Sequence, residues 1–209
     1  MRNAVLLGDS IFDNASYARA GEAVIDELGR GLSSGEATLL AQDGAVIAGV
    51  SSQLQRMPNT ATHLFISAGG NDALRASGVL TERASTVADA LAKIEAVRDA
   101  FARSYGTMLD AAAQRGLPTT VCTIYDSQLP EPTHRRLSNL ALGVLNDAIT
   151  RHAVSRRLPV IDLRVLFSEP ADYANAVEPS GQGSRKIARM ISEVLERHDF
   201  TGPTVVYAA

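Results

Sequence analysis

Residues 5–14 read VLLGDSIFDN, an apolar run that leads directly into a polar turn. The three aliphatic residues before Gly8 predict a strand that is buried on both faces, as in a parallel sheet. Gly8 marks the end of the strand, because glycine adopts backbone angles that other residues avoid. Ser10 therefore lies just beyond the carboxyl end of a strand, where ligands bind in open α/β sheets. A serine there can act as a nucleophile, or it can simply cap the following segment.

Four further apolar runs have the length of buried strands, and helical patterns separate them. Strands are predicted at 37–41, 63–67, 119–124 and 160–163, and helices at 16–28, 86–114, 136–156 and 180–197, with a short one near Ser51. Parallel strands need crossover connections, so this alternation predicts a flavodoxin-like three-layer α/β/α sandwich with a five-stranded, mainly parallel sheet. The tail, about residues 198–209, contains a short β-prone piece with no predicted role.

The length and composition favour a single domain over residues 1–209. Apolar residues make up 45% of the chain and charged residues 21%, which is enough apolar material for one core and argues against disorder. The net charge of −3, without a basic cluster, predicts no nucleic-acid partner. No apolar stretch is long enough to span a membrane or to form a signal-peptide core, so a cytoplasmic location is expected.

No cofactor and no metal are expected from the sequence. Histidines and cysteines do not cluster, and no loop has the regularly spaced acidic residues that a hard cation needs. The glycine patterns GxGxxG and GxxxxGK, which cradle phosphates, are absent. The single cysteine, Cys122, lies in an apolar run and predicts a buried strand thiol. The expected partner is therefore a small-molecule substrate.

Three loops that follow predicted strands hold residues with an obvious chemical use. Ser10 is the nucleophile candidate, and the next loop contains Gly44 and Gly49. A glycine there lets the backbone approach a bound oxygen closely and offer an unhindered N–H group. Asn71, in the stretch SAGGND, can donate its side-chain amide to a developing oxyanion. Together these residues predict a nucleophile with several oxyanion donors.

These pieces occur in the order found in GDSL/SGNH hydrolases, and the chain resembles that superfamily. The GDS block of the family is matched at residues 8–10, and its GxND block at residues 69–72. The resemblance implies that Ser10 is the nucleophile. It also implies an oxyanion hole made of the Ser10 N–H, the Gly49 N–H and the Asn71 side chain. The implied reaction is hydrolysis of carboxylic esters, such as small acyl esters or acylated sugars, through an acyl-enzyme.

The last block of the family is where this sequence departs from the pattern. The family has DxxH before a proline and a helix, and its histidine is the general base. This chain reads NAVEPS at 175–180, so Asn175 stands at the aspartate position and Glu178 at the histidine position. A glutamate is the weaker base by about two pKa units, but burial raises a carboxyl pKa. A Ser–Glu pair needs no acid to fix a tautomer, which is consistent with Asn175.

Two alternatives to a catalytic Glu178 remain open. Glu178 can pair locally with Arg185 or Lys186, which would leave an impaired enzyme that acts as a ligand or carbohydrate binder. Another histidine can also serve as the base, and His134 is the one predicted in a loop on the functional side of the sheet. The distance between the Glu178 carboxylate and the Ser10 hydroxyl distinguishes these hypotheses.

Five further polar residues are candidates for the pocket around Ser10. Asp9 and Asp72 are expected to brace their loops through backbone hydrogen bonds more than to take part in chemistry. Asp126 follows the fourth predicted strand and is placed to orient a substrate. Asp172 and Asn175 lie in the irregular loop before the last helix and are candidates to line the same crevice, with Asp172 expected to be structural or substrate-facing more than catalytic.

Overall fold

The computed structural model describes residues 2–208, and its centre is a six-stranded sheet in which every neighbouring pair of strands is parallel. The strands are β1 (Ala4–Gly8), β2 (Ala37–Leu39), β3 (His63–Ser67), β4 (Thr119–Cys122), β5 (Val160–Ile161) and β6 (Val206–Tyr207). Their order across the sheet is β2-β1-β3-β4-β5-β6. The predicted α/β fold with a mainly parallel sheet and helices around it is confirmed.

The predicted number of five strands is wrong, because the C-terminal tail adds a sixth. The Val160 N–H donates to the Val205 carbonyl at 2.9 Å, and the Asp162 N–H donates to the Tyr207 carbonyl at 2.7 Å. These bonds place β6 at the edge of the sheet beside β5. Val206 is 53% exposed, so the strand buries little apolar surface and has no core-facing pattern in the sequence. The β-prone tail therefore completes the sheet edge.

Seven α-helices surround the sheet within residues 2–208. They are α1 (Val24–Gly31), α2 (Val50–Gln55), α3 (Gly70–Ala76), α4 (Val87–Ala113), α5 (Pro132–Ser155), α6 (Leu163–Leu166) and α7 (Gly181–Arg197). Short 3₁₀ helices cover Ile47–Gly49, Ser77–Thr81 and Pro170–Asp172. No helix in this part of the chain combines the length and the apolar character that crossing a membrane requires.

The two faces of the sheet are covered by different helices. Successive residues of a strand point to opposite faces, so Leu6 and Leu7 belong to two separate hydrophobic clusters. Leu6 packs with residues of α1 and α7, whereas Leu7 packs with residues of α2, α4 and α5. Cys122 is a buried free thiol in β4, as predicted. The sheet therefore has a core on each side, as in a three-layer sandwich.

The first predicted helix, 16–28, is wrong in its first half, because α1 begins at Val24. Turns occupy most of the preceding segment. The buried Asn14 explains the boundary: its Oδ1 accepts the Val24 N–H at 3.0 Å, and its Nδ2 donates to Ser184 Oγ at 2.8 Å. The Asn14 side chain thus provides a hydrogen-bond partner for a free N–H group in the first turn of α1 and links this turn to α7.

The start of α5 also differs from the prediction, which placed it at residue 136. The helix begins at Pro132, and the Glu131 side chain accepts the Thr133 N–H at 2.8 Å and the His134 N–H. Proline is favourable at the first helical position, where its missing N–H is not needed. Residues 132–135, which the prediction left before the helix, therefore form its first turn. This change moves His134 from a loop to the first turn of α5.

The carboxyl ends of β1 and β3 lie side by side, since Gly8 pairs with Ser67 in the sheet. Gly8 has φ +124°, and a Cβ at this position would lie 1.7 Å from the Ser67 carbonyl oxygen. Only glycine fits this close approach of two backbones. The two loops that leave these strands, which carry Ser10 and Asn71, are consequently neighbours.

Candidate active site

Ser10 lies in a tight turn directly after β1. The Asp9 carbonyl accepts the backbone N–H groups of Phe12 and Asp13 at 3.2 and 3.1 Å, and the Asp9 Oδ1 accepts the Ile11 N–H at 3.2 Å. Asp9 is 2% exposed and Ser10 is 7% exposed. Asp9 thus braces the turn, as the sequence predicted. Burial raises the pKa of the Asp9 carboxyl to about 7.

Gln53 fixes the start of this turn and is a residue that the sequence analysis missed. Its side-chain Oε1 accepts the Gly8 N–H at 2.7 Å, and its Nε2 donates to the Gly8 carbonyl at 2.8 Å. Gln53 lies on α2 and is fully buried. A glutamine in a short helix is usually exposed, so its spacing gives no indication of this role. The contact holds the backbone two residues before Ser10.

We expect Gln53→Ala to lower the free energy of unfolding by about 2 to 4 kcal/mol, because the buried Gly8 N–H and C=O groups would both lose their partner. Urea unfolding monitored by circular dichroism measures this change. Gln55→Ala is the matched control, since Gln55 is exposed on the same helix. A loss below about 0.5 kcal/mol, the range of ordinary surface changes, would contradict the clamping role of Gln53.

Glu178 lies beside Ser10 although 168 positions separate the two residues. Ser10 Oγ donates to Glu178 Oε1 at 3.1 Å. Glu178 is only 8% exposed, and its Oε2 has no hydrogen-bond partner among the described residues. Burial raises the pKa of the Glu178 carboxyl to about 7, although the hydrogen bond from Ser10 favours the charged form. This geometry allows a direct proton transfer between the two side chains.

The loop that carries Glu178 is held by Asn175 and by the start of α7. Asn175 Oδ1 accepts the backbone N–H groups of Val177 and Glu178 at 2.9 and 3.0 Å. The Ala174 N–H donates to the Glu178 carbonyl at 2.8 Å, and the Ser180 side chain caps α7. Asn175 therefore orients the backbone of this turn.

The local ion pairs considered for Glu178 are made by other carboxylates. Arg185 approaches Glu27 at 3.6 Å, and Lys186 pairs with Asp172 at 2.7 Å. Asp172 is fully buried and belongs to that ion pair, which also involves the Gln182 side chain. The structure thus places Asp172 in a structural cluster at the start of α7, and it does not line the cavity beside Ser10.

Asn71 lies in the first turn of α3, next to the loop that follows β2. Its Nδ2 donates to the Ala45 carbonyl at 2.9 Å, and its neighbour Asp72 accepts the Ile47 N–H at 2.9 Å. Asp72 therefore braces one loop against another, as expected. Because an amide nitrogen has two hydrogens, Asn71 retains a second one for an acceptor outside these contacts.

The two glycines of the second loop have different surroundings. Gly49 ends a 3₁₀ helix, and its N–H donates to the Val46 carbonyl at 2.8 Å. That N–H is already used inside the helix. Gly44 has φ +75° and directly precedes Ala45, whose carbonyl binds Asn71. Gly44 is therefore the glycine next in sequence to the residue that contacts Asn71.

The remaining candidates lie outside the centre of the site or at its edge. Asp126 does not line the cavity, and its backbone carbonyl accepts the Tyr173 hydroxyl at 2.8 Å. His134 lines the cavity from an exposed position on α5. His152 bonds to the Ala102 carbonyl, and His198 bonds to the Tyr207 hydroxyl. Glu178 is the residue whose side chain bonds to Ser10.

A cavity of about 180 Å³ adjoins Ser10, Asn71 and Glu178 and extends between helices α3, α4 and α5. Its walls are mostly aliphatic and include Leu74, Val79, Leu80, Ile94, Val97, Leu142 and Leu145. These residues were not predicted from the sequence as parts of a site. Aliphatic residues at helical spacing are typical of core packing, and nothing in that spacing distinguishes a filled core from a lined cavity.

The comparisons with known proteins agree with this fold. A model of the GDSL-like lipase/acylhydrolase family matches residues 6–186. A lipolytic protein of the G-D-S-L family from Veillonella parvula has a TM-score of 0.70 and 17% identity, over 95% of this chain and 100% of its own. The extracellular lipase of Streptomyces rimosus has a TM-score of 0.64 and 17% identity, over 89% and 96%. Phospholipase A1 of Streptomyces albidoflavus has a TM-score of 0.61 and 19% identity, over 93% and 98%.

A search of curated protein sequences found no match. At these identities the solved structures show the fold alone. The family model, in contrast, covers most of the sequence, from β1 to the first turns of α7, and so includes the segments that hold Ser10, Asn71 and Glu178. The chain therefore belongs to the GDSL-like lipase/acylhydrolase family.

Proposed function

We propose that the protein hydrolyses carboxylic esters with Ser10 as nucleophile and Glu178 as general base. The observation that carries this proposal is the 3.1 Å hydrogen bond from Ser10 Oγ to the buried Glu178 carboxylate. A serine hydroxyl needs an adjacent base within this distance to become a useful nucleophile. The family membership supports ester hydrolysis in general, and this contact supplies a specific mechanism.

In the first half of the reaction, Ser10 Oγ attacks the ester carbonyl carbon while its proton passes to Glu178 Oε1. The tetrahedral oxyanion then collapses, and the protonated Glu178 gives its proton to the departing alkoxide, so that an alcohol leaves and an acyl-serine remains. In the second half, Glu178 takes a proton from water, and the resulting hydroxide attacks the acyl group. Return of the proton to Ser10 releases the carboxylic acid.

The burial of Glu178 offsets the weaker basicity of a carboxylate. An ordinary glutamate has a pKa of about 4.3 and a histidine about 6.5. The Glu178 pKa of about 7 is close to that of the histidine it replaces in the family pattern. A carboxylate also has no tautomers, so it needs no aspartate behind it. Asn175 accordingly binds backbone N–H groups in place of orienting an imidazole.

The oxyanion hole in this proposal consists of the Ser10 N–H, the Asn71 side chain and the Gly44 N–H. The resemblance alone assigned Gly49 to the third position. The bond from Gly49 to the Val46 carbonyl favours Gly44 instead, and so does the contact between Ala45 and Asn71. Donors of this kind are most effective when neighbouring contacts hold them in place before the charge develops.

We expect Asn71→Ala to lower kcat about 100- to 1,000-fold with little change in KM, because an oxyanion donor acts mainly in the transition state. Steady-state kinetics on p-nitrophenyl butyrate measures both constants. Asn59→Ala is the matched control, since Asn59 is exposed in the loop after α2. Equal effects of the two substitutions would argue against the assigned role of Asn71.

The direct test is hydrolysis of p-nitrophenyl acetate and butyrate by the purified protein between pH 6 and pH 9. Only the ionised Glu178 accepts a proton, and its pKa lies at about 7. We therefore expect kcat/KM to rise with pH through about 7 and to level off above pH 8. A fluorophosphonate should label Ser10, as mass spectrometry of the Ser10 peptide would show. A folded protein with neither turnover nor labelling would instead support the ligand-binding alternative.

A further inference from the structure

The walls of the cavity beside Ser10 identify the kind of group that fills it. Aliphatic side chains from α3, α4, α5 and the 3₁₀ helix Ser77–Thr81 form most of its surface. Neither lysine nor arginine is among the lining residues, and the carboxylates of Asp9 and Glu178 lie at the catalytic end. A negatively charged group would lose its hydration there and meet two acidic residues, and the one basic side chain in the lining, His134, is exposed on α5.

The order of chemical steps decides which half of an ester the cavity holds. The alcohol leaves first, and water must then reach the acyl-enzyme from the side that the alcohol occupied. An apolar cavity holds water poorly. Glu178 also has polar neighbours that do not line the cavity: Asp43, whose charge acts on Glu178, is exposed and accepts the Tyr17 hydroxyl at 2.8 Å. These polar surroundings suit the alcohol and water, and the cavity suits the acyl group.

The volume of the cavity limits the length of that group. An apolar protein cavity of about 150 Å³ holds one benzene molecule, which has six carbon atoms. The cavity in this protein, at about 180 Å³, is slightly larger. We propose that it is an acyl pocket for neutral aliphatic chains of about six carbons, and that it disfavours acyl groups ending in a carboxylate. This inference rests on the proposed ester hydrolysis.

A series of p-nitrophenyl esters from acetate to dodecanoate tests the length limit. Each methylene that enters the pocket is worth up to about fourfold in kcat/KM. We expect kcat/KM for hexanoate to exceed that for acetate at least tenfold and to fall again beyond about eight carbons. The mono-p-nitrophenyl ester of adipic acid, with six carbons and a terminal carboxylate, should react at least tenfold more slowly than hexanoate. Equal rates for these two esters would overturn the charge argument.

A second series keeps the acyl group as acetate and lengthens the alcohol from methyl to hexyl, with acid release followed by pH-stat titration. Here we expect less than a threefold change in kcat/KM. A steep rise in this series, with a flat acyl series, would place the alcohol in the cavity and overturn the proposal. Absence of turnover for every ester would instead reject the proposed function itself, so the two failures are distinguishable.

Val97→Phe tests the location of the pocket, because Val97 is a partly buried lining residue on α4. The larger side chain should lower the ratio of hexanoate to acetate kcat/KM at least fivefold. Val154→Phe is the matched control, since Val154 is 55% exposed on α5 and does not line the cavity. Val79→Phe, at a lining residue on the 3₁₀ helix Ser77–Thr81, provides a second variant if Val97→Phe is unstable. An unchanged ratio in a folded variant would contradict the assignment.

Discussion

Replacing Ser10 with alanine should lower the rate of ester hydrolysis at least 1,000-fold. The substitution removes the only atom that the proposed mechanism uses to attack the ester, and serine hydrolases that lose their nucleophile retain only the contribution of the oxyanion hole and of substrate binding. The measurement is kcat/KM on p-nitrophenyl butyrate at pH 8, where Glu178 is mostly ionised. Fluorophosphonate labelling of the Ser10 peptide should disappear in parallel.

Ser52→Ala is a suitable control for this substitution. Ser52 is exposed on α2, and its hydroxyl donates to the Gly49 carbonyl at 2.8 Å, away from Glu178. Its activity should stay within about twofold of the original protein. A Ser10→Ala variant that retains more than a tenth of the activity would show that the turnover comes from another group. Thermal unfolding of both variants would establish that the comparison is made between folded proteins.

The position of this serine follows from the sequence because two general rules act together. An apolar run that ends in glycine predicts a buried parallel strand, and the carboxyl ends of such strands form the ligand-binding edge of the sheet. Ser10 and Asn71 follow two strands that prove to be adjacent, β1 and β3. Glu178 is harder to place, since it follows a long irregular loop. Its position is predicted from the family resemblance, because Pro179, the capping Ser180 and the following helix match the pattern while Asn175 and Glu178 depart from it.

The features that the sequence does not reveal depend on tertiary contacts. The hydrogen bonds between Gln53 and Gly8 join residues 45 positions apart, and the sequence around Gln53 gives no indication of them. β6 pairs with β5 through backbone hydrogen bonds at the sheet edge. Its side chains therefore do not show the alternation of apolar and polar residues that predicts a strand. The choice between Gly44 and Gly49 depends on which N–H the 3₁₀ helix uses.

The cavity depends on the packing of α3, α4 and α5 as well, and helix packing leaves the same aliphatic spacing whether the space between helices is filled or empty. Such details depend on the three-dimensional packing of the helices. The sequence therefore predicts the positions of the candidate catalytic residues more readily than it predicts the shape of the substrate pocket.

Glu178→Gln should lower kcat/KM about 100- to 10,000-fold while it stabilises the fold at pH 8. Glutamine has the shape of glutamate but cannot accept the Ser10 proton, so general-base catalysis is lost. The folded-state pKa of Glu178, about 7, lies above the unfolded value near 4.3, so folding favours the protonated form. The stability contributed by this group therefore falls as pH rises from about 4 to 7 and stays low above that range.

Urea unfolding at two pH values tests this sign. At pH 8 we expect Glu178→Gln to be more stable than the original protein by about 1 to 2 kcal/mol, because the variant buries no charge. At pH 4, where the glutamate is protonated, the two proteins should differ by less than about 0.5 kcal/mol. Glu196→Gln on α7, at an exposed position, is the control and should show neither effect. A variant that loses activity together with stability at pH 8 would indicate a structural role for Glu178.

Glu178→His distinguishes a glutamate that works as the general base from a glutamate that leaves the enzyme impaired. An imidazole at this position would need an acceptor behind it to hold its tautomer, and Asn175 Oδ1 already accepts two backbone N–H groups. We therefore expect the histidine variant to be no more active than the original protein at pH 7, and less active than it at pH 8. A rise of tenfold or more would mean that the glutamate marks an impaired enzyme that a histidine repairs. A fall would indicate that burial has matched this carboxylate to the reaction, with Asn175 shaping the turn around it.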